Sequence, residues 1–95
     1  MDNKNQILVH NLGHVIVFYT KVRETDKSVW LQKVGTEVKK GANNNGHEWE
    51  VVPKVSDIQG EVFRKVKTPS GRVKMGEYSF LMEYDEKTAY MESDF

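Results

Sequence analysis

The chain has 95 residues, of which 14 are acidic and 14 basic, and it contains no cysteine. A chain of this length builds one core with little room for a deep catalytic cleft. The missing cysteines exclude disulfides, thiolate zinc sites and cysteine nucleophiles, and electrical neutrality supplies neither the field of a general nucleic-acid binder nor that of an acidic DNA mimic.

No apolar run approaches the ~18 residues that span a bilayer, and Met1 to Gln6 is polar, unlike the start of a signal peptide. The expectation is a cytoplasmic protein without a membrane partner, its first five residues disordered. Thirteen valines, three isoleucines, five threonines and ten aromatics stand against two alanines and four leucines. β-Branched and aromatic side chains pack well on a pleated surface and lose rotamer freedom in a helix, so the chain is expected to be mainly β.

In chain order, Ile7–His10 and His14–Val22 read as strands joined by Asn11-Leu12-Gly13, with Gly13 in the left-handed position of a hairpin loop. Val15 to Tyr19 is apolar without alternation, as in a central strand covered on both faces. Thr25-Asp26-Lys27 is a polar turn. Val29, Leu31 and Lys33 then alternate with Trp30, Gln32 and Val34 in a strand that Gly35 bends or bulges before Thr36 to Lys40. The asparagine- and glycine-rich stretch Gly41–Gly46 reads as a mobile loop, and His47–Val52 as a strand closed by Pro53.

Residues 56–67 carry two patterns. Ser56 and Gln59 have capping-box spacing, and Ile58, Val62 and Val66 recur every four residues, which describes a short amphipathic helix. Gly60, the valines and the turn chemistry of Thr68-Pro69-Ser70-Gly71 favour instead a hairpin in which Val66 faces Val73 and Arg64 faces Met75. Lys65, Lys67, Arg72 and Lys74 would then share the other face with Phe63. The last unit reads as a hairpin turning at Asp85–Thr88, with Tyr78, Phe80, Met82 and Tyr84 on the same face as Ala89, Met91, Ser93 and Phe95. The sum is a single small antiparallel barrel or sandwich of about seven short hairpin-connected strands in one domain, residues 1–95.

The charge pattern of the last third is polarised. Arg64, Lys65, Lys67, Arg72 and Lys74 fall between Val62 and Met75 with no carboxylate, and six acids against Lys87 alone follow from Glu77 on. Several cations beside an aromatic suit phosphate binding, and the same cations also suit a solvated face opposite acidic strands. His10 and His14, placed opposite one another across the first hairpin, would share a metal with help from Glu48 or Glu50. No histidine spacing matches a zinc motif, so no metal or other cofactor is assigned. Catalysis would need a trio such as His47, Glu50 and Arg64, which no spacing selects, and no serine lies in a nucleophile elbow.

The reading that remains is a non-catalytic binding protein that docks on another protein, an inhibitor or accessory factor of bacterial or phage type. Its binding residues are Phe63, Lys65, Lys67, Arg72 and Lys74 with Trp30, Trp49 and Tyr90 as aromatic anchors. The alternative is a nucleic-acid or nucleotide binder using the same basic face, with a small hydrolase or nuclease third. Strand edges in so short a β chain also predict a homodimer formed by edge pairing.

Overall fold

A computed structural model describes residues 6–13, 15–40, 48–76, 79–85 and 90–93. They form β1 (Ile7–Asn11), β2 (Ile16–Glu24), β3 (Ser28–Lys40), β4 (Glu48–Val66), β5 (Met82–Glu83) and β6 (Tyr90–Ser93), and none is helical. All six pair antiparallel in one sheet ordered β5-β1-β2-β3-β4-β6. The chain is mainly β, as its composition predicts, with fewer strands than seven and no closed barrel among the described residues. No helix of the described residues is long and apolar enough to cross a membrane. The expected disorder of residues 1–5 and the expected mobile loop Gly41–Gly46 lie outside the described residues.

The first hairpin follows its turn chemistry. Gly13 has φ 98°, its N–H donates to Asn11 Oδ1 at 2.9 Å, and the Leu12 N–H donates to the Val15 carbonyl. Asn11 pairs with Ile16, so the loop is one residue longer than read from sequence and His10 stands opposite Val17. β2 lies between β1 and β3, which explains its unbroken apolar run. Thr25 closes the next turn, its N–H donating to the Ser28 carbonyl and its hydroxyl accepting from the Ser28 N–H.

β4 resolves the helix-or-strand question: 19 residues are extended. The helical spacing of Ile58, Val62 and Val66 loses because β3 pairs with Ile58, Gln59 and Phe63–Val66 and Gly60 sits at φ 88°, outside helical space. Gln59, half of the capping box in the helical reading, instead donates from Nε2 to Asp57 Oδ2 at 3.0 Å. Pro53 does not end the strand; it lies within it, opposite Thr36. The register slips three times, between Leu31 and Lys33, Val34 and Gly35, and Val38 and Lys40. Gly35 sits at the second slip, where a Cβ would collide with the Asp57 carboxylate.

The C-terminal segments also depart from expectation. β5 pairs with β1, through Leu8 opposite Glu83, and β6 pairs with β4, through Val51 opposite Tyr90. The two therefore border opposite ends of the sheet order instead of pairing with each other as a hairpin. Ladder hydrogen bonds were available on the open sides of β1 and β4, and a strand that joins an existing sheet satisfies its backbone there. Tyr78, Ala89 and Phe95 of the expected hairpin, and most of its turn, lie outside the described residues.

Two clusters hold the sheet, one on each face. On the first, Val9, Ile16, Phe18, Val34, Val51 and Tyr90 are buried, with Ile7, Trp49 and Tyr84 against them. Phe18 meets Tyr84 edge-on at 5.4 Å and Tyr90 at 6.2 Å, and the two tyrosines lie 5.5 Å apart. The Tyr90 hydroxyl accepts from the Asp85 N–H at 3.3 Å. The sheet is thus curled until its two borders meet by side chains over Phe18. On the second face Leu8, Val29, Leu31, Val73 and Leu81 are buried, with Tyr19, Phe63 and Met75 packed on them. Here residues 73–76 and 79–81 fold back over the sheet through single bridges, Lys67 to Val73 and Lys74 to Phe80.

Phe18 is fully buried, so Phe18→Ala should lower stability by about 3–5 kcal/mol, read as an earlier urea midpoint with unchanged slope. Thr20 is buried, and its hydroxyl has no hydrogen-bond partner among the described residues. Thr20→Val removes that unsatisfied group at nearly constant shape, and a gain of about 1 kcal/mol is expected in the same titration.

Candidate functional site

The hairpin after β4 turns through five residues instead of four. The Thr68 N–H donates to the Arg72 carbonyl and the Gly71 N–H to the Thr68 carbonyl, both at 2.8 Å, and Lys67 comes opposite Val73. A one-residue slip moves every side chain of one strand to the other face. Val73 goes inward to the Leu31 cluster and Lys74 beside it turns away from the side that Lys67 shares, while Arg72 lines one cleft with Lys67. The expected continuous basic face is therefore divided.

Lys67, Arg72 and Phe63 each have a local partner or packing role. Lys67 and Lys21 both pair with Glu24, Lys21 Nζ lying 2.6 Å from Oε1 while Lys67 meets Oε2. These three line an open cleft of about 220 Å³ with Leu8, Arg72 and Glu83. The Arg72 guanidinium lies 4.5 Å over the Phe80 ring. Phe63 is half-buried against Tyr19, ring centroids 5.6 Å apart, and so is part of the core and not an open stacking platform. Lys65 stands opposite Val29, half-buried, and Lys74 is exposed.

The aromatic anchors separate in the same way. Tyr90 is buried against Phe18 and Tyr84, which corrects its reading as an exposed contact. Trp49 packs on the Phe18 cluster and donates from Nε1 to Glu92 Oε1 at 3.3 Å, while Glu92 Oε2 accepts the Ile16 N–H at 3.0 Å. One carboxylate thereby ties β6 to β2 and β4.

Trp30 is different. Val29 and Leu31 point to the Leu31 cluster, so Trp30 between them faces the Phe18 side. It stands directly opposite Arg23 of β2 and Arg64 of β4, making one line of arginine, tryptophan and arginine across three strands. The Arg23 guanidinium lies 4.7 Å over the indole ring. Both arginines are exposed and Trp30 is half-buried. Glu24, the nearest carboxylate in sequence, is turned to the other face and held by its two lysines. Sequence reading missed this line because Arg23 and Arg64 are far apart in the chain and meet only through the registers of two ladders. No protein family, curated protein or solved structure matches the chain.

The remaining candidates do not assemble. His14 and His47 lie outside the described residues. His10 Nε2 is 3.2 Å from the Ser79 hydroxyl, and burial lowers its pKa below the ordinary 6.5. Glu50, 3.7 Å from Lys39, and Arg64 stand at opposite ends of β4, so no strand brings them together for acid–base work. No group of three or more acidic or histidine side chains suited to a metal ion occurs among the described residues.

The hydrogen bonds from Lys21 first, and then from Lys67, hold the Glu24 carboxyl below its ordinary pKa of 4.5. Ionised Glu24 therefore favours the folded state above that value, and the contribution is lost as pH falls through the lower folded value. Glu24→Gln should be slightly less stable than the wild type at neutral pH, and the gap between their thermal midpoints should close as acid takes the pH below the ordinary carboxylate range.

Proposed function

We propose that the protein is a non-catalytic docking module that binds an acidic surface of another protein through the line Arg23–Trp30–Arg64. The observation that carries this reading is the placement of one tryptophan between two exposed arginines on an uncovered part of a sheet face. Tryptophan and arginine dominate interface energetics because a large rigid ring and a planar five-donor cation lose little conformational freedom for the contact they make. An arginine over an indole is also pre-oriented, its fork free at the edge to receive a carboxylate. Inhibition or accessory action would follow by steric cover of the partner's surface.

A second reading uses the same line. A nucleic-acid base stacked on Trp30 with flanking phosphates on the arginines is chemically suitable. It is favoured less, because the total charge is zero, Lys67 is neutralised by Glu24 and Phe63 is packed.

The double substitution R23E/R64E separates the readings. Immobilised wild-type protein is expected to retain a specific protein from nuclease-treated lysate of its source, and the double variant, with unchanged circular dichroism, to lose at least about 30-fold in affinity for it. Retention that disappears with nuclease, or with modest added salt, would transfer the line to nucleic acid. Equal retention by variant and wild type would remove it from the function.

A further inference from the structure

β4 has a second unassigned surface. β6 covers its outer side only over Glu48–Val51, and among the described residues the rest of the strand pairs with β3 on one side, except at the slips over Val55–Asp57 and Gly60–Val62, and with no strand on the other. Ile58, Val62 and Val66 are 49, 45 and 61% exposed along this stretch. An unpaired row of N–H and C=O groups is a template for another strand, and the remaining borders of this sheet, β5 and β6, are two and four residues long.

We propose that the occupant is a second copy of this chain, its β4 paired antiparallel with the first about a two-fold axis at Val62. The charge and shape of the edge select that register. An axis at Glu61 or at Arg64 would set like charges directly opposite each other, one at Phe63 would set Val62 against an arginine, and one at Gly60 would set Val66 against Lys54. With the axis at Val62, Ile58 meets Val66 of the second copy, Val62 meets its own counterpart, and Val66 meets Ile58. Three exposed aliphatic pairs are then covered on the Phe18 side. On the other side Gln59 opposes Lys65, and Glu61 opposes Phe63 with Lys65 of the second copy on the diagonal. Gly60 opposes Arg64, and the space around its missing side chain is empty, which leaves the arginine room.

Isologous pairing of this kind satisfies the edge twice with one surface and leaves a continuous sheet across the axis. Pro53, without an N–H, and the slip beside Lys54 end the pairable stretch upstream. Trp30 and Arg23 stay outside the contact while Arg64 lies within it opposite Gly60, and the pairing itself does not require that the Arg23–Trp30–Arg64 line binds a partner.

Sedimentation of the full chain across a concentration series tests it. The expected limit is twice 11.0 kDa, with V62K monomeric because two ammonium groups would meet at the axis, and V38K, an equally exposed position on the inner strand β3, still dimeric. A cysteine is a clean probe here because the chain has none. Directly opposite residues lie about 4.5–5.5 Å apart at Cα, within disulfide reach, so V62C should cross-link to itself under mild oxidation. V55C, whose two copies would be more than about 40 Å apart, should not. A wild-type monomer at every concentration, a V62K dimer as tight as wild type, or equal cross-linking of V55C and V62C would each overturn the proposal. Should V62K fail to fold, the comparison of the two cysteine variants decides.

Discussion

The ladder between β3 and β4 sets 13 residues against 19, and the surplus has to leave the plane of the sheet. It does so at two register slips, opposite Gln32 and between Val34 and Gly35, while a third slip at Lys39 falls on β3, and each adds local twist. Twist accumulated along a long hairpin curls a sheet about its own axis. That curl brings the borders β5 and β6 together over Phe18. β4 also runs on past its neighbour β6, and among the described residues its outer side there pairs with no strand.

The two faces divide the labour of the sheet. The Phe18 face is closed at one end by Tyr84 and Tyr90 and uncovered at the other, where Trp30 and its arginines lie. The Leu31 face is covered by the folded-back residues Val73 and Leu81 with Met75, and on its rim Lys21 and Lys67 share the Glu24 carboxylate. Cations on a covered face serve to satisfy carboxylates; cations on an uncovered face are available to a partner. The division of the basic segment between these environments turns on a single extra residue in the Thr68–Arg72 turn.

Local features were legible in the sequence and pairings were not. The Gly13 hairpin, the Thr25 turn, the alternation of β3 and the bulge at Gly35 are each encoded within a few residues, by backbone freedom or by a period of two. The nature of residues 56–67 was ambiguous because Ile58, Val62 and Val66 satisfy a helical period while tertiary pairing with β3 selects the strand. β5 and β6 read as mutual partners because neighbours in sequence usually pair, and open ladders elsewhere outcompeted that rule. Of the expected binding residues Trp30 falls on an exposed stretch of a face, and Arg23 comes to it through the β2–β3 register and Arg64 through the β3–β4 register.

The placement of β5 and β6 also orders events in time. β1 to β4 are successive hairpins built of near neighbours in the chain, whereas the contacts that close the sheet over Phe18 come from strands made after all of them. Until Tyr84 and Tyr90 emerge from the ribosome, Phe18 has no lid and both borders are bare. The growing chain therefore passes through a period when its most hydrophobic surface is presented to its surroundings, and the interval from Val66 to Tyr90 sets how long a chaperone would need to guard it.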